Sequence, residues 1–130
     1  MAKILIVDDN VMIRRGLRKL LQTHAGWEVC GEASNGEDAI QKSRELVPDV
    51  IVLDFLMPGL NGIEAATEIA EISPKIPILL WTMYLSPQLF DIARSADING
   101  ILPKGNVNEL FKGLEIILSG GTFFCGCLVG

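Results

Sequence analysis

Cysteine, histidine, basic residues and long apolar runs are all scarce in this chain, and each shortage excludes a class of explanation. The three cysteines are an odd and sparse set, which argues against a disulfide framework and fits a reducing, cytoplasmic setting. Cys125-Gly126-Cys127 brings two thiols together, but with no further Cys or His nearby they fall short of a structural zinc site. The single histidine, His24, closes a helical stripe and reads as a bystander. Lys and Arg number 11 against 16 Asp and Glu, a formal net charge of −5. A surface built mainly to grip nucleic acid or an anionic membrane is therefore disfavoured. No apolar run approaches the ~18 residues of a membrane span. Met1-Ala2-Lys3 leads straight into a short apolar run ended by Asp8, without the pattern of a signal peptide. Internal repeats, low-complexity stretches and interdomain linkers are missing as well.

Apolar residues, in contrast, are plentiful: 49% of 130 residues, with a mean hydropathy of +0.38. That supply excludes disorder as the overall state, and the length suits one domain of the usual ~100–150 residues. The apolar residues follow two rhythms. Ile4-Leu5-Ile6-Val7, Val50-Ile51-Val52-Leu53 and Ile78-Leu79-Leu80-Trp81 are unbroken, as in parallel strands covered on both faces. Gly100-Ile101-Leu102 is a weaker version, while Trp27-Glu28-Val29-Cys30-Gly31 alternates as an edge strand does. Between these runs the period becomes helical. Ile13, Leu17, Leu20, Leu21 and His24 share one face, as do Val107, Leu110, Phe111, Leu114 and Leu118. Ser34 with Glu37 and Asn106 with Glu109 have capping-box spacing, and Ser86-Pro87 sets a cap before a first-turn proline. Strand and helix alternate five times. This predicts an α/β fold, a flavodoxin-like (βα)5 doubly wound parallel sheet of five strands in the order 2-1-3-4-5. Its ligand site is expected beyond the carboxyl ends of the strands, near the switch point between the first and third.

The residues just after the strands then become decisive. Asp8-Asp9 follow strand one, Asp54 strand three, Thr82 the fourth run and Lys104 the fifth. Three carboxylates converging on one edge repel, and at least one pKa rises unless a cation sits among them. Magnesium answers this, since it takes hard oxygen ligands at about 2.0–2.1 Å and keeps several waters. A magnesium ion, the Lys104 ammonium and the Thr82 hydroxyl together suit the three oxygens of a transferring phosphoryl group. One carboxylate is then the nucleophile, and Asp54 lies most centrally.

The runs ILIVDDN, VLDFLMPGLNGIEA, LLWTMY and GILPKG, in that order, closely resemble a response-regulator receiver domain of two-component signalling, over residues 3–121. The resemblance implies that Asp54 accepts a phosphoryl group from the phosphohistidine of a histidine kinase or phosphotransfer domain. It implies that Asp9, Asp54 and the backbone carbonyl of Leu56 ligate Mg2+, with Asp8 acting through water. Lys104 would pair with the phosphoryl group or carboxylate, and Thr82 would turn toward the phosphoryl oxygen on activation. Met57-Pro58 and Gly62 match the family's loop after the acceptor. GLEIILSGGTFF resembles receivers of regulators that carry a helix-turn-helix DNA-binding domain. The implied molecule is a cytoplasmic switch rather than an enzyme, with no membrane contact, that controls transcription. A homodimer on activation and contact with DNA only through a separate output domain complete the expectation. Residues 1–121 would be the receiver and 122–130 an apolar tail or the start of a linker.

Other classes fit less well. A degenerate receiver acting as a constitutive protein-interaction module is the alternative, but Asp9, Asp54 and Lys104 are all present. An aspartyl-nucleophile phosphatase would carry a second acid where Leu56 stands, and a flavin-binding loop would be rich in Ser, Thr and Gly after strand one. Arg14, Arg15, Arg18 and Lys19 form a basic cluster that is either a solvated face or, by resemblance, part of a kinase-docking surface. Two departures from the family stand out. Ile101 occupies the place of a switching aromatic, and Met83 is bulkier than the usual small residue. A weaker surface change on phosphorylation, or one routed through Tyr84, is the expectation.

Overall fold

The computed structural model describes residues 1–83 and 85–124; Tyr84, Cys125 and Cys127 lie outside the described residues. Alternating elements run along the chain as β1 (Ala2–Val7), α1 (Val11–Leu21), β2 (Trp27–Ala33), α2 (Gly36–Leu46), β3 (Val50–Leu53) and α3 (Gly62–Ile72). They continue as β4 (Ile78–Thr82), α4 (Pro87–Ser95), β5 (Gly100–Pro103), α5 (Val107–Leu118) and β6 (Phe123–Phe124). One sheet holds the order β2-β1-β3-β4-β5-β6, with parallel pairing throughout. The expected α/β sheet and its 2-1-3-4-5 order are present, and β2 is an edge.

The unbroken apolar runs are explained by two cores. Leu5, Val7, Ile51, Leu53, Ile78, Leu80 and Ile101 pack on one face with buried residues of α2, α3 and α4. Their neighbours Ile4, Ile6, Val50, Val52, Leu79, Trp81 and Leu102 pack on the other with α1 and α5. Each residue of these unbroken runs thus buries its side chain whichever way it points. Full burial of one such side chain is worth about 1.5–3 kcal/mol, so polar residues are held off until the strands end.

The sixth strand is the difference from expectation. Phe123 N donates to Asn99 O at 2.9 Å, and Phe123 and Phe124 pair with Gly100 and Ile101. A side chain at Gly100 would meet Phe123 O at 2.5 Å, and one at Gly113 of α5 would meet the Phe123 ring at 2.8 Å. Both glycines therefore make room for this strand. The Phe124 ring stands edge-on to Phe90 of α4 at 5.4 Å, with Arg94 across both. Phe124 thus sets an aromatic ring beside Ile101, on the next strand over.

Helix starts follow the sequence with one shift. Ser86 caps α4 with Pro87 in the first turn, and Asn106 caps α5. The α2 cap is Asn35, one residue after the expected Ser34. Gly36 sits so close to Leu60 and Ala65 that packing sets the helix start. His24 lies beyond the end of α1, its ring stacked on Trp27 at 3.8 Å, at the opposite end of the sheet from the Asp8 edge.

Candidate functional site

Backbone pairing carries the acids together. Val7 of β1 is paired with Leu53 of β3, and Asp54 N donates to Val7 O at 3.0 Å. Asp8 N bonds Ala33 O at 3.0 Å and Lys104 N bonds Thr82 O at 2.9 Å. The hydrogen-bond ladders thus run one residue past the strands, and the first polar residues emerge side by side. Asn10 caps α1, its side chain accepting from Met12 N and Ile13 N. That leaves Asp8 and Asp9 free of the capping task an acid at a helix start usually performs.

Lys104 Nζ sits 2.5 Å from Asp8 Oδ2 and 3.2 Å from Asp54 Oδ2, with all three side chains nearly buried. Asp9 is exposed beside them, and carboxylate oxygens of Asp8, Asp9 and Asp54 all lie within 4.8 Å of one another. These residues line a cleft of about 460 Å³ together with Asn10, Ile13, Leu56, Met57, Pro58 and Met83. Thr82 is fully buried at the end of β4 and is not among the lining residues. The loop after Asp54 is drawn tight. Gly62 N donates to Phe55 O at 2.7 Å, and a side chain at Gly62 would meet Asp54 O at 2.5 Å. Asn61 and Glu64 close a capping box at the start of α3.

The charges do not cancel. Three carboxylates face one ammonium. Burial pushes the Asp54 carboxyl above its ordinary range, and the Asp8 charge adds to this against the pull of Lys104. Burial works against the Lys104 charge, but its hydrogen bond to Asp8 and the two carboxylates win and hold its pKa above the ordinary value. A cluster of hard oxygen donors with negative charge in excess is compatible with a divalent metal ion.

The family model for the response regulator receiver domain matches residues 4–115. This chain is a response regulator receiver domain. Response regulator protein VraR of Staphylococcus epidermidis is 40% identical over 95 residues, which are 73% of this chain and 44% of that protein. The matched stretch therefore spans less than half the length of that relative. A LuxR-family two-component response regulator from an Aurantimonas species matches with a TM-score of 0.95 at 32% identity, over 99% of this chain and 93% of that one. The isolated receiver domain of RcsB from Salmonella enterica serovar Typhimurium, solved with a phosphomimetic, matches with a TM-score of 0.90 at 27% identity, over 98% and 96% of the two chains. No helix of the receiver among the described residues is long and apolar enough to cross a membrane.

Within the receiver, Asp8, Asp9, Asp54, Leu56 and Lys104 meet at one cleft. The basic cluster of α1 divides. Arg14 Nε and Arg18 Nε both bond Glu32, at 3.0 and 2.6 Å, whereas Arg15 and Lys19 are exposed. Sequence reasoning missed the tie from Arg14 Nη1 to the Asp8 carbonyl, 2.7 Å long. Only an Arg on the turn after two acids, with an acid at the end of β2, hinted at it.

Proposed function

We propose that Asp54 of this receiver accepts a phosphoryl group from the phosphohistidine of a histidine kinase or phosphotransfer domain. An Asp54 oxygen attacks phosphorus, the P–N bond breaks, and the imidazole leaves and takes up a proton. Asp9, Asp54 and the Leu56 carbonyl would hold Mg2+, with Asp8 acting through water. The ion would neutralise charge on the phosphoryl oxygens and orient them for in-line transfer. Lys104 supplies a point charge already placed against Asp54, and Thr82 a hydroxyl one strand away. Later hydrolysis of the aspartyl phosphate returns the carboxylate, so the domain is a switch, not a classical enzyme.

The observation that supports this most is the Lys104 ammonium shared between Asp8 and Asp54 at 2.5 and 3.2 Å, with Asp9 alongside. The phosphoacceptor unit includes residues 1–121 in this reading. The expected boundary before residue 122 gives way to a sheet that takes in Phe123 and Phe124, and the unit would act on an output domain that binds DNA, in the manner of transcription-regulator relatives. The setting is the cytoplasm, and phosphorylation favours a homodimer. The test is intact mass after incubation with Mg2+ and acetyl phosphate. One phosphoryl adduct is expected, absent in Asp54→Asn and absent with chelator. A full adduct in Asp54→Asn, or chelator-insensitive labelling, would overturn the assignment.

A further inference from the structure

Asp9 makes no side-chain hydrogen bond or ion pair among the described residues, so no neighbour holds its side chain, and the backbone sets the set of rotamers from which its carboxylate can reach the cluster. That backbone is tied at three points. Asp8 N donates to Ala33 O at 3.0 Å, Asn10 N donates to Asp8 Oδ1 at 2.9 Å, and Arg14 Nη1 donates to Asp8 O at 2.7 Å. The third tie fixes the rigid plane that the Asp8 carbonyl shares with the Asp9 N–H. Arg14 is itself fixed. Its side chain is only 15% exposed, its Nε is held by Glu32 Oε1, and Glu32 Oε2 is held by Arg18.

We propose that Arg14 is a positioning residue for the divalent-cation site, orienting the Asp8–Asp9 peptide so that the Asp9 carboxylate stands ready beside Asp8 and Asp54. The inference rests on reading that cluster as a Mg2+ site. Mg2+ demands near-ideal octahedral geometry, and groups that orient its ligands commonly change affinity about 10–100-fold. Charge and geometry predict opposite signs here. A guanidinium near a cation site repels the ion, so deleting it for charge alone would tighten binding. Loss of the tie would weaken it.

The test is calorimetric titration of the whole chain with Mg2+ alone, for wild type, Arg14→Ala, Arg14→Lys and Arg18→Ala, with amide exchange at Asp9 and Asn10 as a second readout. Arg14→Ala should bind about 10-fold more weakly and exchange faster at both amides. Arg14→Lys should weaken binding too, because one ammonium nitrogen cannot stand in for two spaced donors, Nε on Glu32 and Nη1 on the Asp8 carbonyl; it serves alone where Arg14→Ala fails to fold. Arg18→Ala also loses a bond to Glu32 but keeps the tie from Arg14 to the Asp8 carbonyl, and should weaken binding much less than Arg14→Ala. Unchanged or tighter binding without Arg14, or equal weakening without Arg18, would overturn the role. A wild type that binds no Mg2+ would overturn the metal reading, and this role with it.

Discussion

Two charged trios flank the Asp8 backbone, and they are built in opposite proportions. In one, the cation Lys104 is shared between two acids, Asp8 and Asp54. In the other, the acid Glu32 is shared between two cations, Arg14 and Arg18. Their titration runs opposite ways. Burial works against the Glu32 charge, but hydrogen bonds from Arg18 and Arg14 prevail and hold its carboxyl below the ordinary range. Burial prevails at Asp54 and holds it above. Solvent explains part of the contrast, since the Glu32 side chain is 23% exposed and that of Asp54 8%. Charge balance explains the rest, because the Asp8 charge pushes Asp54 up against a single ammonium, whereas two guanidiniums pull Glu32 down. The Glu32 trio is complete in the folded protein, whereas the Asp54 trio is left short of positive charge. A structural brace and a ligand site can thus be made of the same residue types.

The largest blow to this contrast is Lys104→Ala. Removing the Lys104 ammonium leaves two nearly buried carboxylates without a counter-charge, which should cost about 3 kcal/mol in chelator, read by denaturant unfolding. Mg2+ should return part of that loss. An unchanged midpoint would mean the acids are hydrated and the trio is no sink for a cation.

Glu32→Gln comes next. It keeps the shape of the brace but removes its charge, for a loss of about 1–2 kcal/mol at neutral pH. The sign with pH follows from the depressed carboxyl. The wild-type advantage is fully present above the ordinary value of 4.5 and fades as pH falls through the lower folded value. Unfolding curves stepped downward in pH check this; a gap that persists in acid would contradict it.

The smallest effect on stability, within about 0.5 kcal/mol, belongs to Arg15→Glu with Lys19→Glu, because both side chains reach into solvent. Their expected role is in encounter with a kinase. Transfer from a histidine kinase should slow at low salt and recover as salt screens the charges, while labelling by acetyl phosphate stays the same. Equal slowing with both donors would mark damage to the site. Arg14 and Arg18 are unsuitable for this experiment, since both serve the brace.

Local sequence made much of this legible. The strands were visible because two-sided burial leaves unbroken apolar runs, and the site because Asp8, Asp54 and Lys104 each follow such a run. What escaped depends on partners far along the chain. The Arg14–Glu32–Arg18 brace joins α1 to β2, so four basic residues on one helix looked alike until Glu32 separated them. Strand β6 is two residues long, too short for any period to register, and its seat is prepared by Gly100 and Gly113 on other elements. Asn35 displaced Ser34 as a cap because α2 starts where Gly36 can approach Leu60, a tertiary constraint invisible in capping preferences.

The central claim is that the Asp54 trio carries charge the fold itself does not satisfy, and the most direct test is the stability of Asp54→Asn in chelator at neutral pH. A carboxyl whose folded pKa lies above its ordinary value of 3.8 lowers stability wherever it is ionised, and the penalty fades as the group protonates. The neutral isostere should therefore unfold at higher denaturant than wild type, with the gap closing in acid. Mg2+ should stabilise wild type more than the variant. An Asp54→Asn protein less stable than wild type at neutral pH, as Glu32→Gln is expected to be, would contradict the account.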